Sequence, residues 1–491
     1  MKLFKAEQIK RWDEATIEKG IPSIQLMERA ANALVPKILG LATNRCCVSI
    51  FAGPGNNGGD ALALSRLLVE RGFEHLDTYL IRPDDIPLSE DCRSNLESTR
   101  GVRVVKTVKD VPDVNELSKM DLIIDGIFGS GLSRPLEGLF TECAERINSA
   151  EVQVVSIDVP TGAYSEGTNR GDLVVEADHV LTFQIPKRSF LMSESGRFMK
   201  HFEIVDIHLD KDFHESEPCD MFYLTEEDVI IPPRNKFSHK GNYGHSLLIS
   251  GSRGMYGATQ LCARAAIRAG SGLMTVHGPS EAMDIIQATL PEAMYSSDRM
   301  TDHISSLPQI DRYSAVACGP GIGMANDTEG MIDDLLTQSP AGLILDADAL
   351  NIIAKENWQD RIPENSILTP HPKEFARLFG EDDDSFSAVS KQQKLAMDMG
   401  LVIVRKGAHT SIALPDGRVF FNSTGNPYMA TGGMGDVLTG FILGLRAQGL
   451  SPEAAALAGV YYHGLAGDHA LKRRRGGMLL STDVVEAFKV S

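Results

Sequence analysis

NPYMATGGMGDVLTGFILG, residues 426–444, sets a glycine loop directly ahead of an apolar helix whose first turn carries Asp436. Gly432, Gly433 and Gly435 let the backbone turn its N–H groups toward an anion, and the helix start adds partial positive charge. A carboxylate at that point stands beside whatever a bound phosphate is transferred to, so phosphoryl transfer becomes the leading chemistry for this part of the chain. A glycine-rich turn capped by an acidic residue has the same composition, and the loop alone weighs evenly between the two readings.

Working outward, the segments flanking that loop alternate short apolar runs with helical patterns. They are HSLLISG (245–251), ATQLCARAAIRAG (258–270), LMTVHG (273–278), AVACGPG (315–321), GLILDADAL (342–350) and LVIVRKG (401–407). The same alternation fills the first part of the chain: CCVSIFA (46–52), DALALSRLLVERG (60–72), HLDTYLI (75–81), DLIIDGIF (121–128) and VQVVSIDVP (152–160). This is the pattern of parallel sheets covered by helices, an α/β class for both halves. Residues 6–40 read as two helices, the second built around Leu26, Met27 and Ala30 to Leu34, packing on the sheet or on a second subunit. Near residues 206–222 the pattern breaks into an acidic, irregular stretch, and the domain boundary is placed there.

The chain has 491 residues, too many for one ordinary core, and two domains are expected. With 48 basic and 66 acidic residues the formal charge is -18, which argues against nonspecific nucleic-acid or anionic-membrane binding and requires any anionic ligand to be held locally. The seven cysteines include the neighbours Cys46 and Cys47 but no CxxC spacing, so neither a disulfide framework nor a cysteine zinc site is expected. They read as buried, reduced thiols. The start, MKLFKAEQIKRWDEATIEKG, lacks the apolar core of a signal peptide and no apolar run is long enough to span a bilayer, so a cytoplasmic location is expected.

After the strand that ends at Ala52 comes GPGNNGGD (53–60), which satisfies G-x-G-x-x-G between strand and helix and first suggests a Rossmann dinucleotide fingerprint. The acidic residue that fingerprint requires at the end of the next strand is poorly placed, since Asp77 comes early. Asn56, Asn57 and Asp60 are also unexplained by pyrophosphate cradling, whereas amide oxygens and carboxylates are what a hard cation seeks. Two further segments lie at strand carboxyl ends: Asp125 with Gly129, Ser130, Gly131, Leu132, Ser133, Arg134 and Pro135, and Asp158 with Thr161 and Gly162. In an open parallel sheet, ligands bind outside those ends, so three converging loops favour a site. Alone, Asp158 reads more readily as a turn or cap residue; in company with the other loops it reads as functional.

These residues together resemble the bifunctional NAD(P)H-hydrate repair enzymes, an epimerase fused to a nucleotide-dependent dehydratase, over nearly the whole chain. The carrying motifs are LMERAA (26–31), AGPGNNGGDALAL (52–64), DGIFGSGLSRPLEG (125–138) and SIDVPTG (156–162), then RNKFSHKGNYGHSLLISGS (234–252), YGATQLCARAAIRAGSGL (256–273), CGPGIG (318–323), LDADALN (345–351), LTPHPKE (368–374), RKGAHT (405–410) and GGMGDVLTG (432–440). The resemblance implies a Rossmann-like epimerase domain over residues 1–213 and a ribokinase-like dehydratase domain over residues 222–491.

By position, it implies that Asn56, Asn57, Gly58, Gly59 and Asp60 hold the hydrated dinucleotide with the loop from Gly129 to Pro135. Asn57, Asp125 and Thr161 would surround a potassium ion, and Asp158 would contact the altered ring and carry protons. In the second domain Asp436 would take the proton from the hydrate's hydroxyl as the terminal phosphate of ADP is transferred, with Gly433 to Gly435 stabilising its charge. Lys406, Gly407, Ala408, His409, Thr410 and Gly435 would bind the nucleotide, and Ala258, Gly323 and His371 would line the hydrate pocket. The implied substrates are NADHX and NADPHX with ADP or ATP, the single-chain fusion favouring ADP. Magnesium is implied by phosphoryl transfer, although no dedicated metal motif stands out. A homo-oligomer is expected.

Lys373 departs from the family's usual glycine, which bears on the loop around His371. His371 also reads as a turn histidine between two prolines, Asp346 and Asp348 as helix caps or loop holders, and His463 as a packed partner near the nucleotide. The main rival is a ribokinase-like kinase of a small alcohol with a regulatory, dinucleotide-sensing first domain. An NAD-dependent dehydrogenase is more distant, since no hydride-transfer substrate domain can be identified. The chain has no G-x-S-x-G elbow, Walker loop or zinc-finger spacing.

Overall fold

The structure, a computed structural model, describes residues 1–84, 86–338, 340, 342–474 and 477–489. It has two compact units, one of residues 2–219 with 384–386, the other of Met1 with 220–383 and 387–491.

Among the described residues, the first unit is built on seven strands: β1 (Val48–Ala52), β2 (Leu76–Ile81), β3 (Val102–Val105), β4 (Leu122–Gly126), β5 (Val154–Ile157), β6 (Ala177–Phe183) and β7 (Met199–Val205). All run parallel, in the order β3-β2-β1-β4-β5-β6-β7. Every residue of β1 and β4 is buried, as strands covered on both faces require. Strand order reverses between β1 and β4, the point of an open parallel sheet outside whose carboxyl ends ligands bind. Strands β3, β6 and β7 were not foreseen from sequence, because their partly exposed residues break the apolar run that marks a buried strand. The helix after β1 runs from Asn56 to Glu70, taking in residues expected to be loop.

The second unit carries a ten-stranded sheet: β8 (Met221–Leu224), β9 (His245–Ile249), β10 (Leu273–Gly278), β11 (Met294–Ser297), β12 (Ala315–Cys318), β13 (Ile344–Leu345), β14 (Ile367–Leu368), β15 (Val402–Arg405), β16 (Ser411–Ala413) and β17 (Val419–Asn422). The order is β11-β10-β9-β12-β13-β14-β15-β16-β17-β8, parallel from β11 to β15, with β16 antiparallel to both neighbours. Helix Met434–Ala447 lies against helix Tyr256–Ala269 so closely that a Cβ on Gly440 would sit 2.2 Å from the Cys262 carbonyl oxygen, and one on Gly444 2.3 Å from that of Ala266. The glycines after the loop are therefore packing glycines, and they fix where the loop points.

No disulfide joins any of the seven cysteines; Cys46, Cys47 and Cys219 are half-buried rather than buried as expected, because they lie outside strand and helix interiors. Among the described residues no helix is long and apolar enough to cross a membrane.

Candidate active sites

In the first unit the loops after β1 and β4 meet directly. A Cβ on Gly53 would lie 1.9 Å from the Ile127 carbonyl oxygen, and one on Gly58 only 1.8 Å from that of Gly53, so neither position admits a side chain. Asn56 and Asn57 open the helix, with Gly58, Gly59 and Asp60 behind them, all three buried. Asn57 donates its amide to the Ile157 carbonyl at 3.2 Å, and its Oδ1 faces Gly129. From there the loop emerges: Gly129, Ser130 and Leu132 are half-buried, while Gly131, Ser133, Arg134 and Pro135 are exposed.

Asp125, at the end of β4, is fully buried and accepts from Ser156 Oγ (2.8 Å), the Thr161 N–H (2.9 Å), Thr161 Oγ1 (2.6 Å) and the Ile127 N–H (3.3 Å). All of these donors are neutral, and burial holds the carboxyl above its ordinary range despite them. Asp125 and Thr161 Oγ1 are in contact, and with Asn57 Oδ1 they are hard oxygens carrying one negative charge among them, a donor type that suits a monovalent cation.

Asp158 follows β5 with a backbone φ of 61°, a left-handed conformation that costs a non-glycine residue about 1 kcal/mol or more. Its carboxylate accepts from the Phe183 N–H at 3.1 Å and pairs with Lys187 Nζ at 2.7 Å. Lys187 is 2% exposed and spends its other donors on Thr182 Oγ1 and the carbonyls of Phe183 and Ile185. Asp60 is buried; burial first, then the charges of Asp158 and Asp13, push its carboxyl well above the ordinary range. Lys187 was missed in the sequence, where it stands among ordinary charged residues with no local motif.

In the second unit the loop arrives as the opening stretch reads. Gly433 takes a left-handed conformation (φ 86°) at the start of helix Met434–Ala447, and Asp436 sits half-buried in its first turn. Burial and then the charge of Asp346 push the Asp436 carboxyl up to about 7. A Cβ on Gly435 would lie 3.3 Å from Lys406 Nζ, so the ammonium overhangs the loop. Lys406 pairs with Asp346 at 2.9 Å and lies 3.8 Å from Glu374; burial opposes its charge, but the carboxylates outweigh burial and raise its pKa. Gly407 and Ala408 are exposed, and Thr410 Oγ1 closes the turn on Gly407. His409 turns inward and donates Nδ1 to the Asn422 carbonyl at 3.0 Å.

Asp346 occupies the N-cap position of helix Ala347–Glu356 without capping it; its second oxygen accepts from Thr439 at 2.7 Å, so it ties Lys406 to the helix of the glycine loop. Asp348 holds a loop as expected, accepting the Gly323 N–H at 3.0 Å. Gly323 adjoins Ser252, and Gly321 adjoins Ala258, which brings those segments to one wall. His371 caps helix Pro372–Phe379, its Nδ1 accepting from the Lys373 and Glu374 N–H groups at 3.1 and 3.2 Å. Lys373 fits the first helical turn, where no left-handed backbone is needed. His463 is lodged against Phe441, and burial followed by the nearby Lys406 charge lowers its pKa to about 4. Among the described residues no group of three or more His, Cys, Asp or Glu side chains is arranged to hold a metal ion.

Against known families, residues 246–489 match a model described as NAD(P)H-hydrate dehydratase, and residues 23–189 match one described as YjeF-related protein N-terminus. The bifunctional NAD(P)H-hydrate repair enzyme of Thermofilum pendens is 33% identical over 96% of this chain and 93% of its own length. That of Coxiella burnetii is 32% identical over 99% of each chain. Among solved structures, a ribokinase-like superfamily protein from Enterococcus faecalis V583 aligns with 55% of this chain and 94% of its own, at a TM-score of 0.50 and 29% identity.

Proposed function

The chain belongs to the bifunctional NAD(P)H-hydrate repair enzymes, and from that premise we propose how its two halves divide the work. The epimerase domain, residues 1–213, interconverts the R and S epimers of NADHX and NADPHX. The dehydratase domain, residues 222–491, restores NADH and NADPH from the S epimer, with ADP as phosphoryl donor and AMP and phosphate as products.

The observation that carries the second assignment is Asp436, a half-buried carboxyl raised to about 7 on the helix behind the glycine loop, with Lys406 beside it. A base with a pKa near the working pH is suited to take the proton of a hydroxyl as that oxygen attacks a phosphate. Phosphate then leaves far more readily than hydroxide would. Lys406 and the N–H groups at Gly433 to Gly435 would hold the transferred phosphate, while Ala258, Gly323 and His371 would bound the hydrate. Asp346 and Glu374 are already engaged by Lys406, so a magnesium ion would be held chiefly by the nucleotide's phosphates and would neutralise their charge. ADP is favoured as donor by the single-chain fusion that this protein shares with archaeal and bacterial relatives.

In the first domain, Asn57, Asp125 and Thr161 would hold potassium, which balances the buried Asp125 charge and fixes the β4 loop beside the dinucleotide. Asp158 faces the ring carbon whose configuration changes. A small-alcohol kinase with a regulatory first domain is not favoured, because relatives matching the chain almost end to end are repair enzymes.

The test is recovery of nicotinamide absorbance from a mixture of both NADPHX epimers with ADP and magnesium. Wild type is expected to restore all of it, Asp436→Asn none, and Asp158→Asn only the S fraction. No recovery by wild type with either ADP or ATP would overturn the dehydratase assignment.

A further inference from the structure

Asp158 and Lys187 come from the ends of neighbouring strands, and two turns of unusual backbone bring them together. Asp158 follows β5 at φ 61° and Gln184 follows β6 at φ 63°, both left-handed conformations that a non-glycine residue keeps only where its surroundings hold it. The Asp158 N–H is fixed on the Leu181 carbonyl of β6, and the Gln184 N–H on the Val205 carbonyl of β7. The Ile185 N–H then donates to the Phe183 carbonyl at 2.7 Å, a tight turn that sends the chain back on itself. Lys187 thereby returns its Nζ to the end of β6, 3.0 Å from Thr182 Oγ1 and 3.3 Å from each of the carbonyls of Phe183 and Ile185.

The contacts at the carboxylate are one-sided. Its Oδ1 accepts from Lys187 Nζ at 2.7 Å, the Phe183 N–H at 3.1 Å and the Thr182 hydroxyl at 3.4 Å, whereas no donor among the described residues bonds to Oδ2. The Thr182 proton is shared with the Ile185 carbonyl, also at 3.4 Å, so the ammonium is the firm tie. Lys187 has three protons for four acceptors and its side chain is 2% exposed, so it has no donor left for a ligand. The Asp158 side chain, at 10%, stays partly open.

We propose that Lys187 is a positioning residue of the epimerase site: it neutralises and anchors Oδ1 of Asp158, so that Oδ2 alone is presented to the hydrated ring. This rests on the epimerase reading above, in which Asp158 meets the ring, and adds the group that aims it. A carboxylate anchored through one oxygen cannot turn about its Cβ–Cγ bond, so the reacting oxygen is set before substrate arrives. The charges of the pair cancel, which lets the anion stand in a nearly closed pocket without an uncompensated buried charge.

The experiment follows one purified NADPHX epimer toward equilibrium by chromatography at fixed pH. It gives kcat and KM for the full-length chain, Lys187→Met and Lys187→Ala, with and without n-propylammonium, each checked for folding by its thermal transition. Lys187→Met keeps the apolar stem and removes the charge; kcat should fall about 100-fold with KM within about 3-fold of wild type. Lys187→Ala should fall as far. There n-propylammonium, which replaces the missing methylenes and the ammonium, should raise kcat about 10-fold or more, and n-propanol at the same concentration should not. A Lys187→Met kcat within about 3-fold of wild type, or a loss confined to KM, overturns the assignment while the epimerase reading stands. So does a Lys187→Ala that n-propanol restores equally, that neither compound restores, or that does not fold even with n-propylammonium, since the lysine then serves packing alone. Asp158→Asn as active as wild type overturns the role of Asp158 and this assignment with it. Wild type that does not interconvert the epimers overturns the epimerase reading itself.

Discussion

Replacing Asp436 with asparagine should abolish dehydration and, at alkaline pH, make the second unit more stable. The carboxyl rises from 3.8 to about 7 on folding because burial and the Asp346 charge penalise its ionised form. Because the folded pKa lies above the unfolded one, the group favours the fold while protonated, fully so below about pH 4, and that contribution is lost as pH climbs through about 7. A rise of about three pH units at 1.36 kcal/mol each gives a ceiling of about 4 kcal/mol, and access of the half-buried group to water trims the expected gain to about 2 kcal/mol. Asparagine keeps the shape and the neutrality of the protonated acid, so Asp436→Asn should gain this stability in full near pH 8.5, about a third of it near pH 5 and almost nothing near pH 3.5. Urea unfolding read through Trp358, which lies in the second unit, measures the difference, and absorbance recovery with ADP measures the activity. A variant as stable as wild type at all three pH values, or less stable at the highest one, would refute the claim that Asp436 is held in a strained, proton-seeking environment.

Asp125→Asn offers one oxygen where the carboxylate offers two and turns an amide toward hydroxyl and N–H donors, so the first unit should lose about 2–4 kcal/mol, read by urea unfolding at Trp12, together with any stabilisation by potassium over lithium. Gly58→Ala drives a Cβ to within 1.8 Å of the Gly53 carbonyl oxygen, which cannot be relieved by a side-chain swing. It should cost the first unit about 3 kcal/mol and its epimerisation, leaving dehydration of the pure S epimer unchanged in a stopped assay.

Much of both sites was legible because the chemistry is written in contiguous residues. A glycine loop followed by a helix makes its anion cradle from its own backbone, so GGMGD declares Gly433, Gly435 and Asp436 within one turn, and GPGNNGGD likewise declares a close crossing that the Gly53 and Gly58 contacts require. The alternation of apolar runs also carried the parallel sheets, since a strand covered on both faces is mostly apolar, and β1 and β4 are buried along their whole length. Where strands are half-solvated, as in β6 and β7, that signal fails and so did the reading.

What tertiary structure alone decided are the pairings between distant segments. Nothing near Lys187 in sequence indicates that its ammonium will be buried against Asp158, and nothing near Trp12 indicates that it and Thr16 will dock their helix on Asp210. Asp346 looked like a helix cap from its neighbours, but the fold set Lys406 and Thr439 within reach and gave its oxygens to them. Backbone conformation follows from adjacent residues and can be read along the chain. The protonation and partners of a buried charge follow from which other charges the fold encloses with it, and these come from segments that meet only once the chain is folded.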